Sequence, residues 1–184
     1  MLPCHSPLPR LTKCGQSNEV EPPLQHCFPP VVRPDTRLLV LGSLPGAMSL
    51  AAGRYYANPR NQFWRLMGAV IDRPLEGAGY EERLATLLGA GVGLWDTVAA
   101  AHRPGSLDAD IRLHAASDLR ALIATLPELR AIAFNGGTSA KIGRSQIVGG
   151  SDSLELVDLP SSSPAYTLPF DEKKKRWLTL RRHL

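Results

Sequence analysis

The sequence predicts an α/β fold: a three-layer α/β/α sandwich with a central four-stranded parallel sheet. Three observations carry this prediction. The chain has 184 residues, of which 43% are apolar, and this size and composition suit one globular domain. It contains four short apolar runs of strand length, and segments with helical spacing lie between them. The four runs are residues 37–41, 92–95, 131–134 and 154–159.

The segments between the strands have apolar residues three and four positions apart, the pattern of helices with one buried face. In the first helical segment Phe63, Trp64 and Met67 fall on one side, and in the last one Trp177 and Leu180 do the same. Helices in these places provide the crossovers that parallel strands require. The predicted helices cover residues 61–71, 80–88, 117–126, 138–142 and 171–183.

Residues 1–27 are predicted to be a poorly ordered, proline-rich leader, and residues 28–184 the folded domain. Eight of the sixteen prolines lie within residues 1–35, a segment without helical or alternating apolar spacing. All three cysteines lie in the leader and have no CxxC spacing, so we expect neither a disulfide framework nor a zinc cluster. This cysteine usage favours a reducing cytoplasm.

Several classes of protein are excluded by missing signals. No apolar run reaches the roughly 18 residues of a membrane-spanning helix, so no membrane partner is expected. The chain has no GxxxxGK[ST] phosphate loop, no GxGxxG dinucleotide loop and no GxSxG nucleophile turn. Its five histidines are not spaced as metal ligands. We therefore expect chemistry without a metal or an organic cofactor.

The net charge of +4 is concentrated at the C-terminus, where the last fourteen residues contain six basic and two acidic side chains. A basic end of this kind suits a polyanion such as nucleic acid. It is also typical of a solvated helix whose final turn carries cations that interact favourably with the helix dipole. On charge alone we favour the second interpretation.

The loops that follow the four predicted strands are small and polar. In a parallel sheet the carboxyl ends of the strands meet at one edge, where ligands bind. The sequence therefore places the candidate site at this edge. For Asp96, which ends the second strand, we favour a helix cap or an ion pair with Arg103 over a role as general base. The four loops are residues 42–46, 96–97, 135–137 and 160–164.

The loop sequences carry a specific resemblance. Residues 42–46 read GSLPG, and residues 59–64 read PRNQFW at the start of a predicted helix. Motifs in this order resemble the uracil-DNA glycosylase superfamily, and most closely its hypoxanthine-DNA (deoxyinosine) glycosylase branch. The resemblance covers about residues 28–177. Further matches are LWD at 94–96, GSLD at 105–108, FNG at 134–136 and LPSSSPA at 159–165.

The resemblance implies a monofunctional DNA glycosylase of base-excision repair that releases hypoxanthine from deoxyinosine. Such an enzyme flips a nucleotide out of the duplex, holds the base in a pocket and positions one water, without a metal or cofactor. It implies double-stranded DNA with a damaged base as the partner, a monomer, and a cytoplasmic location with association to the nucleoid through DNA. Two alternatives are a glycosylase specific for uracil or thymine in mismatches and a non-catalytic nucleic-acid-binding protein on the same fold.

The resemblance also assigns roles to individual residues. Asn61 takes the catalytic role of orienting water, and the same position suits a helix N-cap. In the related mismatch-specific uracil/thymine glycosylases an Asn follows the first Gly of the loop where this chain has Ser43, which argues against a plain uracil-type mechanism. For Asn135 a turn residue before Gly136 is an equal interpretation. The base pocket is assigned to Gly42, Ser43, Tyr56, Phe63 and Asn135, and the loop that grips phosphates to Pro160, Ser161, Ser162 and Ser163.

Overall fold

The structure, a computed structural model, describes residues 23–147 and 154–184, which contain two sheets and six helices. Short 3₁₀ turns cover Asp108–Asp110 and Leu178–His183. The strands are β1 (Leu24–His26), β2 (Leu38–Gly42), β3 (Val92–Asp96), β4 (Val98–His102), β5 (Arg112–Ala116), β6 (Ala131–Asn135) and β7 (Glu155–Leu159). The helices are α1 (Ala47–Ala52), α2 (Phe63–Ile71), α3 (Tyr80–Gly89), α4 (Leu119–Ala124), α5 (Gly137–Ile147) and α6 (Phe170–Trp177).

The four-stranded sheet contains the four strands that the sequence predicts. Its order is β3-β2-β6-β7, and every neighbouring pair is parallel. β2 and β6 are buried along their whole length because helices cover both faces, and this is why both strands read as continuous apolar runs. The predicted α/β class and the four-stranded parallel sheet are confirmed.

Helices form a layer on each face of this sheet. Side chains alternate along β2, so Leu38 and Val40 pack in one helical layer while Leu39 and Leu41 pack in the other. The first layer contains α2, α3 and α6, and the second contains α4 and α5. The three-layer arrangement is therefore confirmed.

The helix boundaries differ from the predicted ones at several ends. α2 begins at Phe63, two residues later than predicted, and α5 continues to Ile147 because its later turns also bury residues. The predicted helix over 171–183 is α-helical only to Trp177 and continues as a 3₁₀ turn. The short helix α1 was not predicted. None of the helices in the described part of the chain is long and apolar enough to cross a membrane.

The antiparallel sheet has no counterpart among the predicted elements. Its order is β1-β4-β5. β4 follows β3 after the single residue Thr97, and its sequence, Val-Ala-Ala-Ala-His, is poor in the β-branched and aromatic residues that mark strands. Pairing with neighbours, rather than a local sequence pattern, defines this strand.

β1 belongs to the segment predicted to be a leader. Its residues 24–26 pair with residues 100–102 of β4, and the Cys27 amide donates to the carbonyl of Ala99 at 2.9 Å. The Gln25 side chain donates to the Arg103 carbonyl and accepts a hydrogen bond from the Arg103 guanidinium. The boundary predicted at residue 27 therefore falls after a strand that is paired with the domain. Residues 1–22 of the predicted leader lie outside the described residues.

The basic C-terminal segment has structural roles that neither charge interpretation includes. Lys173 is buried, and its ammonium donates to the carbonyls of Ser163 and Tyr166 at 3.3 and 2.8 Å. The Arg181 guanidinium donates to two carbonyls near the end of α2. These cations therefore join loops and helix ends to one another.

Phe63 lies in the core rather than in a pocket. Its ring is completely buried, stacks on Tyr56 with ring centroids 3.6 Å apart, and contacts Trp64 and Trp177 edge-on. The prediction that Phe63 contacts an extruded base is wrong, because the apolar face of α2 begins at this residue and packs on the sheet.

We expect Phe63→Ala to lower the free energy of unfolding by about 3–5 kcal/mol, because it removes a fully buried ring and leaves a cavity. Urea unfolding of both proteins measures the difference. Leu107→Ala is the control, since Leu107 is about half exposed and its removal leaves no cavity. Equal losses in the two variants would contradict the core assignment.

We expect a chain that starts at residue 28 to be less stable than one that starts at residue 23. The shorter chain lacks β1 and the hydrogen bonds between Gln25 and Arg103, which together contribute about 1–3 kcal/mol. The measurement is the denaturant midpoint of each truncation. Identical midpoints would show that β1 adds nothing to the domain.

Candidate active site

A cavity of about 400 Å³ lies at the carboxyl edge of the parallel sheet, within the usual size range of small-molecule sites. The ends of β2, β3 and β6 and the loop after β7 all contribute to it. Gly42 and Ser162 line the same cavity, as the predicted convergence of the loops requires. Its lining is formed by residues 42–49, Tyr55, Tyr56, Asn58, Arg60, Asn61, Asp96, residues 106–108, Asn135 and residues 161–165.

Gly42 is required where β2 ends because the neighbouring strand brings a carboxyl group against it. Gly42 and Asp96 are register partners in the parallel pair β2–β3. A Cβ atom at position 42 would overlap Oδ1 of Asp96 and lie 3.5 Å from the hydroxyl of Tyr56. The absence of a side chain at Gly42 therefore gives the Asp96 carboxyl its place beside the cavity.

Asp96 is a buried carboxyl in the wall of the cavity. Its Oδ2 atom has no hydrogen-bond partner in the described part of the protein. Burial raises the pKa of Asp96 to about 7; the Tyr55 hydroxyl and Arg103 act in the opposite direction, and the nearby Asp108 raises the pKa further. Burial therefore favours the neutral carboxylic acid, which can donate a hydrogen bond.

Neither role favoured for Asp96 from the sequence is present. The chain passes from β3 into β4 through Thr97, so no helix begins at Asp96. The Arg103 guanidinium donates to Gln25 and to carbonyls of the loop after β2, and no ion pair joins it to Asp96 among the described residues. Arg103 instead fixes the position of that loop.

Ser43 and Asp108 join two loops at the cavity. The Ser43 hydroxyl donates a hydrogen bond of 2.7 Å to Oδ1 of Asp108, and the Ala47 amide donates to the Ser106 hydroxyl at 2.9 Å. Burial raises the pKa of Asp108, whereas Ser43 and Arg103 lower it. The hydroxyl of Ser43 is thus engaged as a donor, and its oxygen remains able to accept a hydrogen bond.

Tyr56 is held in a left-handed backbone conformation, with φ of 53°, which is uncommon for a residue with a side chain. Its ring stacks on Phe63, and its carbonyl accepts a hydrogen bond of 3.2 Å from the Trp64 indole. Strain of this kind costs about 1–3 kcal/mol and persists where surrounding contacts fix the conformation. Burial also raises the pKa of Tyr56, so a rigid ring with a neutral hydroxyl lines the cavity.

Asn135 and Ser162 bond to each other across the end of the sheet. The Asn135 amide donates to the Ser162 hydroxyl at 2.9 Å and to the Tyr56 hydroxyl at 3.2 Å, and the Ser162 amide donates back to Oδ1 of Asn135 at 2.8 Å. Asn135 does line the cavity. Its amide also holds the loop after β7 against Tyr56. Both Nδ2 hydrogens are used in these bonds, so a base can pair with Asn135 without displacing one only by donating to Oδ1.

The loop after β7 presents only some of the residues predicted to grip phosphate. Ser162 is completely buried, and Pro160 is buried with its carbonyl accepting from the Trp177 indole at 3.0 Å. The predicted phosphate contact is wrong for these two residues, because Pro160 does not line the cavity and the buried Ser162 has both its hydroxyl and its amide bonded to Asn135. Ser161 and Ser163 are half-buried and line the cavity, so their hydroxyls remain candidates.

Asn61 lies in the wall of the cavity, as predicted, one position before Gln62, the N-cap residue of α2, and its side chain makes a capping bond to the first amide of that helix. Its Oδ1 accepts a hydrogen bond of 3.0 Å from the Phe63 amide, at the start of α2. Its Nδ2 donates no hydrogen bond to the described part of the protein. The capping bond fixes the orientation of the side-chain amide and leaves one donor group for a ligand or a water.

A second cavity, of about 720 Å³, adjoins the first and is lined by cationic side chains. Arg54 and Arg83 lie over the rings of Tyr80 and Trp64, at 5.5 and 5.3 Å from the ring centroids. Asn61 contributes to the lining of both cavities. The charged residues in its lining are Arg54, Arg60, Arg65, Arg83 and Glu76.

The polar groups of the two cavities are amides, hydroxyls, carboxyls and guanidinium groups. Among residues 23–147 and 154–184, no group of three or more His, Cys, Asp or Glu side chains is arranged to hold a metal ion. The first cavity can bind a planar polar ligand through hydrogen bonds and supply a proton from a neutral carboxyl. The second can bind an anion such as phosphate.

Sequence reasoning missed two functional candidates in the first cavity. Asp108 lies in the GSLD motif, which received no chemical role, and Asp96 was interpreted as a structural residue. The sequence did contain a signal that Asp96 belongs to the site. Asp96 stands at the carboxyl end of one buried strand, and the neighbouring strand ends in glycine. The arginines of the second cavity are spread over residues 54–83, without a pattern that would bring them together.

The sequence and the fold are both similar to those of known proteins. The Methanosarcina acetivorans protein named hypoxanthine DNA glycosylase is 38% identical over 160 residues, which is 87% of this chain and 99% of that protein. The protein of the same name from Methanosarcina barkeri is 35% identical, covering 82% and 93%. The solution NMR structure of a candidate uracil DNA glycosylase from Methanosarcina acetivorans superposes with a TM-score of 0.78 at 36% identity, covering 87% of this chain and 98% of that one. The sequence model of the uracil DNA glycosylase superfamily matches residues 29–182, and the chain belongs to this superfamily.

Proposed function

We propose that the protein is a monofunctional DNA glycosylase that hydrolyses the N-glycosidic bond of deoxyinosine in DNA and releases hypoxanthine. The observation that carries this proposal is the position of Asn61 in the wall shared by the two cavities. A nucleotide with its base in the first cavity and its phosphate in the arginine-lined cavity has its sugar at that wall. The reacting carbon, C1′, then lies beside Asn61.

The reaction needs few groups from the protein. Departure of the base leaves positive charge on the sugar, and the DNA phosphates themselves stabilise that charge. The protein must hold the extruded nucleotide and place one water against C1′. Asn61 is suited to this task because its capping bond to the Phe63 amide fixes the side chain while Nδ2 faces no protein acceptor.

Hypoxanthine is the base that the similarity supports best. Both curated relatives named above carry hypoxanthine DNA glycosylase as their name. The cavity offers a mixed set of donors and acceptors to a planar base, from Ser43, Tyr56, Asp96 and Asn135. Phe63 covers one face of the Tyr56 ring, and the base is proposed to stack on the other face, since Tyr56 lines the cavity.

We further propose that the protein acts as a monomer, in the cytoplasm, on double-stranded DNA. Binding then depends on the four arginines of the second cavity and on the accessible serines of the loop after β7. Phosphate contacts of this kind position the duplex and make affinity dependent on salt.

We expect Asn61→Ala to lower the single-turnover rate of hypoxanthine release by about 10²–10³-fold, the effect of removing one positioned polar group from a water-excluded site. Affinity for the deoxyinosine duplex should change little, because phosphates supply most of the binding energy. Ser43→Ala is the matched comparison and should cost much less, since its hydroxyl already donates to Asp108. A larger loss in Ser43→Ala would assign the water to the loop after β2.

The choice of base is tested with duplexes that contain deoxyinosine, deoxyuridine or a G·T mismatch, with alkaline cleavage at abasic sites as the readout. Faster release from deoxyinosine is the expected result. Release of uracil or thymine alone would support the mismatch-specific alternative. Tight binding without release of any base would support the non-catalytic alternative.

We expect Arg54→Ala and Arg60→Ala each to weaken duplex binding. Each should also make the fall of the logarithm of the binding constant with the logarithm of the salt concentration less steep, by about one unit of slope. Both side chains line the second cavity, where the proposed phosphate lies. Arg33→Ala is the control, because Arg33 lies in the turn that enters β2 and pairs with Asp35. Equal slopes in all proteins would place the DNA on another surface.

A further inference from the structure

Asp96 is a buried titratable group of the first cavity that the proposed hydrolysis does not use. Only 3% of the residue is exposed, and its Oδ2 atom has no hydrogen-bond partner among the described residues. An unpartnered buried carboxyl costs free energy whether it is neutral or ionised, and the cost is larger for the ion. The burial of Oδ2 therefore favours the neutral carboxyl, and a ligand in the cavity that accepts a hydrogen bond from this carboxyl would favour that form further.

The groups that face Asp96 offset a negative charge on it only in part: the Tyr55 hydroxyl and Arg103 favour the anion, but burial outweighs them. Tyr55 and Tyr56 present neutral phenols, and Asp108 adds a second acidic group. The positive charge nearby, on Arg103, makes its hydrogen bonds elsewhere. The titratable and charged groups around Asp96 are Cys27 after β1, Tyr55 and Tyr56 after α1, Arg103 after β4, and Asp108 in the first 3₁₀ turn.

The depth of Asp96 separates its position from that of the reacting water. Asp96 ends a strand of the central sheet and is buried, whereas Asn61 is half-buried in the wall shared with the arginine-lined cavity. In an extruded nucleotide the base enters the cavity while the sugar stays near the DNA backbone. Asp96 is therefore placed to meet the base and not the water at C1′.

We propose that Asp96 is the general acid of the reaction: its neutral carboxyl donates a hydrogen bond to the bound purine and transfers that proton as the C1′–N9 bond breaks. This role rests on the proposed function. The electrons of the broken bond move to the purine, which leaves as neutral hypoxanthine. Water adds its oxygen to C1′ and releases a proton to solvent, and solvent returns a proton to Asp96.

The residues that surround Asp96 are compatible with its role as a proton donor. Because Gly42 has no side chain, the space beside Oδ1 stays free. The Tyr55 hydroxyl interacts with the carboxyl and lowers its pKa, but less than burial raises it. Oδ2 is shut off from solvent and has no partner among the described residues, so a ligand meets Asp96 where the residue lines the cavity. An asparagine at this position would supply a hydrogen-bond donor of the same shape without a transferable proton. Asp96→Asn therefore separates proton transfer from binding.

The test is the single-turnover rate of hypoxanthine release from a deoxyinosine duplex, measured from about pH 5 to 9.5. The wild-type rate should fall as pH rises through the pKa of Asp96, because the acid form is the active one. Asp96→Asn should be slower by about 10²–10⁴-fold at the acidic end and should lose this pH dependence. Affinity for the duplex should stay within a few-fold.

Asp158→Asn is the matched control, since Asp158 is exposed on β7 and pairs with Arg144. Its rate and pH profile should equal those of the wild type. The proposal is overturned if Asp96→Asn keeps the wild-type rate, or if the wild-type rate rises as Asp96 ionises. A wild-type protein that releases no hypoxanthine would overturn the proposed function instead, so the two failures are distinguishable.

Thermal unfolding shows whether Asp96→Asn is folded and gives a second readout. The folded protein disfavours the Asp96 anion, so this group lowers wild-type stability progressively as pH rises from its unfolded pKa to about 7. Asp96→Asn lacks this loss. Its melting temperature should exceed that of the wild type at pH 8, and the difference should shrink towards pH 4. A variant that melts below the wild type at pH 8 would contradict the conclusion that the folded protein disfavours the Asp96 anion.

Discussion

Parallel pairing of β2 with β3 is the constraint on which the site depends. The register places Gly42 beside Asp96 at the carboxyl edge, and pairing of β2 with β6 brings Asn135 to the same edge. Three chain segments that are far apart in sequence therefore end within one cavity. Because these strands are buried on both faces, their ends cannot shift without disturbing two helical layers.

The loops beyond the strand ends are held by polar side chains that reach them from other parts of the fold. Arg103, from the end of the antiparallel sheet, bonds to the loop after β2. Lys173, from α6, bonds to the loop after β7, and Asn135 braces that loop against Tyr56. The antiparallel sheet and the C-terminal helix thus support the site without lining it. The charges of Arg103 and Lys173 stabilise the conformations of these loops.

Much of the fold could be predicted because its core strands are continuous apolar runs, as at residues 37–41 and 131–134. The alanine-rich β4 carries no such pattern, and β1 forms only because β4 presents an edge to it. Within the site, motif order located Gly42, Ser43, Asn61 and Asn135 in one cavity. It could not separate half-buried from fully buried neighbours, because burial is decided by tertiary packing: Phe63 is buried two residues after half-buried Asn61, and Ser162 is buried between two half-buried serines.

Two features of the site lower the stability of the folded protein: the left-handed backbone of Tyr56 and the buried Oδ2 atom of Asp96, which has no partner among the described residues. Both residues have side-chain oxygens beside Gly42 at the end of β2, a strand that is buried along its whole length. A rigid sheet edge can hold groups in costly states because its packing over-determines their positions. A flexible loop would relax and satisfy them with water or with each other. Asp96 at a strand end, Tyr56 packed beside that end, and the more exposed Asn61 at the start of α2 therefore suit the proposed reaction: the base meets fixed groups, and the sugar meets a group reachable from the DNA.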